Sequence, residues 1–192
     1  MVGEVELKIK RGPSTLLTPC PVTLLTCTDD EGNDNIITLA WVGVVCSDPP
    51  KIGVGIRRSR YSYELLEKSG EFVLNIPDCS LLDASDYCGA VSGRDVDKFT
   101  KTGLTREKAT KVNAPLIKEC PINLECLVKE KLDLGSHRLY VGEVVDTHLD
   151  EKILGSGGDI DFSKADPVIY NDGEYWKLGE KVNAYGFAKE KF

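Results

Sequence analysis

Residues 57–62, Arg-Arg-Ser-Arg-Tyr-Ser, place three guanidinium groups and two serine hydroxyls directly before a segment with helical signals. Guanidinium forks, hydroxyl donors and the free N–H groups of a helix start are the groups that hold a phosphate. The run ahead of them, Ile52-Gly-Val-Gly-Ile-Arg57, alternates with a period of two. A strand here carries Ile52, Val54 and Ile56 on one face and Gly53, Gly55 and Arg57 on the other. A face of bare backbone lets a flat ligand lie close, although glycines so spaced also suit a bulge or tight strand packing. Arg57, Ser59, Arg60 and Ser62 are therefore candidates for a phosphate grip. Arg58 reads as a solvated charge.

The flanking pattern supplies the elements that must position these groups. Residues 21–28 and the run from Asn35 read as a β-hairpin across the turn-rich Asp29–Asp34, with the 51–57 strand next in the same sheet. A Ser-Asp-Pro-Pro turn at 47–50 joins the two apolar runs of 35–57. Ser62 suits the N-cap of a helix that ends at Gly70, with Glu64 in its first turn and Lys68 in its last. Residues 71–77 read as a strand, and Leu81–Cys88 as a short helix capped by Ser80 and stopped by Gly89. Residues 95–101 form a third helix ended by Gly103. The stretch 105–120 crosses the surface, two long strands (123–131 and 137–148) flank Leu134-Gly135, and 155–158 is a flexible loop. Residues 4–10 alternate as an exposed strand would. Six or seven strands with short inserted helices predict a β-barrel in one domain spanning 1–192.

The net charge of -7 argues against nucleic acid as the main partner. The apolar runs fall short of the roughly 18–20 residues a membrane span needs, and the first residues lack the basic start and apolar stretch of a signal peptide. A cytoplasmic protein is expected. Seven cysteines without a Cys-x-x-Cys pair read as reduced thiols, with Cys27, Cys46 and Cys126 in apolar runs as small hydrophobes. With two histidines, a histidine-rich metal site is not expected. Gly-x-Gly-x-x-Gly after a strand, Gly-x-x-x-x-Gly-Lys-Ser/Thr and Gly-x-Ser-x-Gly are all absent, which disfavours dinucleotide-fold, P-loop and serine-hydrolase sites. No catalytic acid or base stands out.

Several ordered blocks carry a resemblance: Thr38-Leu-Ala-Trp41, Cys46-Ser-Asp-Pro-Pro50, Arg57 to Tyr63, Asp86-Tyr-Cys-Gly89, Ser92 to Phe99, Leu134-Gly-Ser-His137 and Gly142-Glu-Val-Val145. Together, over residues 18–188, they resemble the flavin reductase-like family, in its flavoredoxin branch. The resemblance implies a mainly β fold, an FMN-binding split β-barrel with short peripheral helices, assembled as a homodimer. It also implies roles for residues that otherwise read blandly. Asn35, by itself a residue that bonds nearby backbone, becomes a partner for the flavin's polar edge, and Thr38, Ala40 and Trp41 line the ring. Cys46 and Ser47, otherwise an ordinary turn, offer N–H groups to the ring carbonyls. Lys98, otherwise a surface lysine, contacts the phosphate. His137 lies near the ring and Tyr170 stacks against it.

The function so implied is redox chemistry on FMN, reduced by NAD(P)H and passing electrons to a flavin or redox-protein acceptor. The alternative is a carrier that holds FMN tightly and does not react with the nucleotide.

Overall fold

In a computed structural model, which describes residues 8–189, the chain runs as β1 (Cys20–Pro21), β2 (Thr23–Cys27), β3 (Asn35–Leu39), β4 (Val42–Ser47) and β5 (Pro50–Arg57). It continues through α1 (Tyr61–Ser69), β6 (Glu71–Ile76), α2 (Leu82–Ala90) and α3 (Lys98–Thr102). The last strands are β7 (Arg106–Glu107), β8 (Leu116–Ile117), β9 (Ile122–Asp133), β10 (His137–Leu149), β11 (Val168–Asn171) and β12 (Glu174–Lys177). The strand expected over 4–10 lies mostly outside the described residues, and residues 8–10 have no regular structure.

Seven strands form one antiparallel sheet in the order β3-β2-β6-β9-β10-β5-β4. Its edges, β3 and β4, are consecutive in sequence and only Ala40-Trp41 lies between them. Two residues span at most about 10 Å between the strand ends. The sheet must therefore curl until its edges meet, which makes a barrel, and they meet without pairing, which leaves it split. The 51–57 strand was expected beside the β2–β3 hairpin. It belongs to the same sheet but at the opposite edge, between β4 and β10.

The period-two pattern fills this barrel. Leu25, Ile37, Leu39, Ile52, Val54, Ile56, Phe72, Leu74 and Tyr140 form one buried cluster, closed by Leu65 and Leu66 of α1. The outward residues Leu24 and Ile36 are covered by Cys88 of α2 and Phe99 of α3, so β2 is buried on both faces. The segment 105–120 is less superficial than its weak periodicity implied. Ala109, Val112, Ala114 and Leu116 pack on Val73, and Ile117 and Cys120 join the second cluster. Buried Glu125 holds this segment by accepting from the backbone N–H groups of Thr110, Lys111 and Val112, the Thr110 hydroxyl and His148 Nε2. Those five donors occupy its oxygens, although Asp146 and His148 stand close by.

The second and third helices differ from expectation at their boundaries, and α3 begins at Lys98 rather than at Asp95. The helix predicted from Leu81 begins as a single 3-10 turn at Cys79–Leu81, capped by the Asp78 carboxylate rather than by Ser80, and Gly89 lies inside α2 rather than after it. There Gly89 has a packing role: a Cβ would come within 3.2 Å of Thr38 Cβ, so glycine lets α2 lie close on β3. Gly70 and Gly103 do stop their helices, each with positive φ. All seven cysteines are free thiols, and Cys46, expected in an apolar interior, is partly exposed.

Candidate functional site

Two adjoining cavities open at the seam between the barrel's edges. The larger, about 330 Å³, lies beside the link from β3 to β4 and is lined by Thr38, Leu39, Ala40, Trp41, Gly55, Arg57, His137, Tyr170 and Tyr175, among others. The smaller, about 110 Å³, lies behind it and is lined by Asn35, Ser59, Arg60, Ser92, Gly93 and Lys98, among others. Ile37, Arg60 and Gly89 line both. The first has the size and mixed lining of a small-molecule pocket. The second has the volume of roughly four waters.

The floor of the larger cavity follows from the glycine alternation. Gly55 donates its N–H to Trp41 O on one side and stands opposite Leu139 on the other, while Arg57 stands opposite His137. With no side chain at 55, the flanking Trp41 and His137 rings meet, their centroids 4.6 Å apart. Gly53 does not share this role, because Val45 and Leu139 already cover it. Tyr170 and Tyr175, in an edge-to-face pair on the β11–β12 hairpin, form the facing wall. The Tyr175 hydroxyl fastens that wall to α2 by donating to Asp86. Burial, and after it the Arg57 charge, holds His137 below the ordinary histidine pKa. Its Nδ1 bonds the Ser136 hydroxyl.

The smaller cavity is unusual in its polar accounting. Lys98 is 4% exposed, and its amine donates to Ile36 O at 2.6 Å and Cys88 O at 2.7 Å. No carboxylate pairs with it among the described residues. Burial, reinforced by the Arg60 charge, lowers its pKa to about 8. Asn35 is buried beside it, and its side-chain oxygen is the one buried side-chain polar atom without a partner among the described residues. Turning that amide over keeps the bond to Ser62, with the hydroxyl now donating, and presents NH₂ instead. Gly93 leaves no spare room, since a Cβ there would run into the Asn35 amide. A buried ammonium without a counter-charge, an unfilled amide and a glycine cradle converge on one small space. An anion would satisfy them.

Of the candidate residues, the structure brings Thr38, Ala40, Trp41, Arg57, His137 and Tyr170 to the larger cavity, Asn35, Ser59 and Lys98 to the smaller, and Arg60 to both. Ser62 was expected to cap α1. The helix starts two residues earlier than that cap implies, at Tyr61, and Ser62 is fully buried in its first turn, where its hydroxyl accepts from Asn35. Cys46 and Ser47 are not brought in. They end β4, roughly 17 Å along the strand from Trp41, and Ser47 pairs with Pro50 at the far turn. The Thr38 hydroxyl is committed to Ser85 O of α2. Tyr175, Ser92 and Gly93 were not anticipated. The aromatic cluster of the tail was visible in sequence, but its pairing across a hairpin was not.

A family model described as flavin reductase like domain matches residues 16–179. The chain belongs to the flavin reductase-like family. The fold agrees: the flavoredoxin of Desulfovibrio vulgaris (Miyazaki F) superimposes with a TM-score of 0.90 at 34% identity, covering 95% of this chain and 100% of that one. The flavoredoxin of Methanosarcina acetivorans gives a TM-score of 0.89 at 34% identity, covering 97% and 100%. An uncharacterized protein of Archaeoglobus fulgidus is 40% identical over 111 residues, which are 58% of this chain and 63% of that protein. The split barrel with its seam-side groove is thus a flavin-reductase fold of the flavoredoxin branch. No helix among the described residues is long and apolar enough to cross a membrane.

Proposed function

We propose that the groove binds one FMN per chain, ring in the larger cavity and phosphate in the smaller, and that the protein is an NAD(P)H-dependent reductase serving a flavin or protein acceptor. The observation that carries the flavin reading is the joining of an aromatic-walled cavity to a phosphate-sized one whose buried Lys98 lacks a counter-charge. A single basic cavity matches a mononucleotide flavin. Bound there, FMN would supply the hydride and electron transfer, and the protein would supply position and electrostatics. Lys98 and Arg60 would offset the phosphate charge, with Ser59 and the turned Asn35 amide as further donors. Trp41, Tyr170 and Tyr175 would flank the ring. His137, whose pKa burial and then Arg57 lower, would offer Nε2 to the ring's polar edge.

A homodimer is part of the same proposal. β4 is a sheet edge paired only with β5, and Val44 and Val45 on it are exposed, Val44 at 79%. An apolar edge strand next to Trp41 is a surface that a second copy would cover.

The second reading, an electron carrier, is kept because the solved relatives at 34% identity are named flavoredoxins. The purified protein should carry, or take up, one FMN, and a colourless protein unmoved by FMN titration would end the flavin reading. Mixed anaerobically with NADH or NADPH, a reductase loses its flavin absorbance within seconds at a rate that saturates with nucleotide. Bleaching by dithionite alone would leave the carrier. His137→Ala should change the reduction rate or FMN affinity while leaving thermal unfolding intact, which circular dichroism checks.

A further inference from the structure

Among the seven arginines of this acidic chain, Arg58, Arg94, Arg106 and Arg138 each pair with a carboxylate. Among the described residues no carboxylate pairs with Arg57 or Arg60, and both line the groove. The fold separates these two. Arg60 borders both cavities, and its charge bears on Lys98. Arg57 borders only the larger cavity, opposite His137 in the strand register, and its charge bears on His137. In the proposed pose, Lys98 and Arg60 face the one phosphate of FMN. Arg57 is left over, near Trp41, which is 46% exposed and whose ring meets that of His137 at a tilt of 40°.

We propose that Arg57, beside Trp41 and His137, anchors a phosphate of a pyridine dinucleotide entering over the larger cavity. The proposal rests on that cavity being the flavin-ring site. A guanidinium fork reads phosphate oxygens bidentately, and the neighbouring indole and imidazole offer a flat rim to a nucleotide's planar groups. The basic residues close by do not extend into a patch for an acidic protein face, because Asp133 and Glu64 neutralise Arg58 and Arg94. A single unpaired guanidinium at a recess suits a small anionic ligand.

The test titrates FMN-loaded protein with oxidised NAD and NADP, followed by flavin absorbance and calorimetry, so no electron transfer is required. Arg57→Gln, tested with FMN at saturation, should weaken dinucleotide binding about tenfold or more, the scale of one charge-assisted contact. Arg57→Lys, which keeps the charge but loses the fork, should fall between. N-methylnicotinamide, which has no phosphate, should bind wild type and Arg57→Gln alike. Arg60→Gln should do the opposite of Arg57→Gln, weakening FMN but not riboflavin. Three results overturn the proposal: a wild type that binds neither dinucleotide, an Arg57→Gln variant that binds them as wild type does, or one that loses FMN affinity while sparing riboflavin. Failure of the flavin reading shows separately, as a wild type that takes up no FMN.

Discussion

Raising the pH from 7 to 9 should weaken FMN about tenfold and leave riboflavin unchanged. Lys98 makes the difference. Burial lowers its pKa to about 8, against an opposing pull from Cys88 and with a smaller push from Arg60 in the same direction as burial. A bound phosphate dianion favours the charged amine and raises that pKa. The proton count then fixes the slope. With a pKa of about 8, the empty protein keeps roughly nine-tenths of its Lys98 charged at pH 7 and roughly one-tenth at pH 9. Binding at pH 9 must therefore take up nearly one proton, at a cost of about 1.4 kcal/mol relative to pH 7. Below pH 7 the effect of the phosphate's own second ionisation, near 6, runs the other way, so affinity should peak between about 6 and 8. Fluorescence titration across pH gives the curve. Calorimetry at pH 9 in buffers of different ionisation enthalpy gives the proton count. Lys98→Met should lower FMN affinity roughly 10- to 100-fold and flatten the alkaline limb. Equal FMN affinity at pH 7 and 9, or a parallel loss for riboflavin, would refute the reasoning.

Gly93→Ala should reduce FMN affinity at least tenfold, because its methyl group displaces the Asn35 amide. In an Asn35→Ala background the same change should cost clearly less, with only the Tyr61 ring left in tight contact, and a double-mutant cycle of FMN titrations checks that coupling. Glu125→Gln should destabilise the protein by about 1–3 kcal/mol, since an NH₂ group would face backbone donors, and calorimetry should show Tm lower by several degrees. Burial alone would raise the Glu125 pKa, but the Thr110 and Lys111 amides and His148 overcome it and hold it at about 2. Its folded value thus lies below the unfolded value near 4.3. The stabilisation is whole above that pH and lost as pH falls from about 4 toward 2, a limb that Glu125→Gln should flatten in acid unfolding.

The strands were legible because their patterning is local. Alternation at 52–57 identified β5 and its two faces, and the glycines at 70 and 103 marked real helix ends. Their order in the sheet was not legible. It depends on the Ala40-Trp41 link being too short to let β3 and β4 diverge, which becomes meaningful only once five other strands stand between them.

The site divided along the same line between local and long-range information. Arg60 and Ser59 were candidates because basic and hydroxyl groups ahead of a helix start suit a phosphate, whereas Lys98 read as a surface lysine and was named only through the family resemblance. Ser62 could not be placed correctly by that rule. A serine before a helix reads as a cap, and what moves it inside is Asn35, 27 positions earlier, whose amide bonds the Ser62 hydroxyl and leaves its other end for the cavity. Cys46 and Ser47 lie away from both cavities for the complementary reason. They lie as near to Trp41 in sequence as many site residues do, but an extended strand carries them away at about 3.3 Å per residue. Arg57 shows the limit most clearly. It is the last residue of β5 and Arg60 is the N-cap of α1, with only Arg58 and Ser59 between them, so one basic motif supplies two walls of the groove. Sequence shows the motif's charge; only the register of β5 against β10 assigns Arg57 to His137 and leaves the phosphate-sized cavity to Arg60 and Lys98.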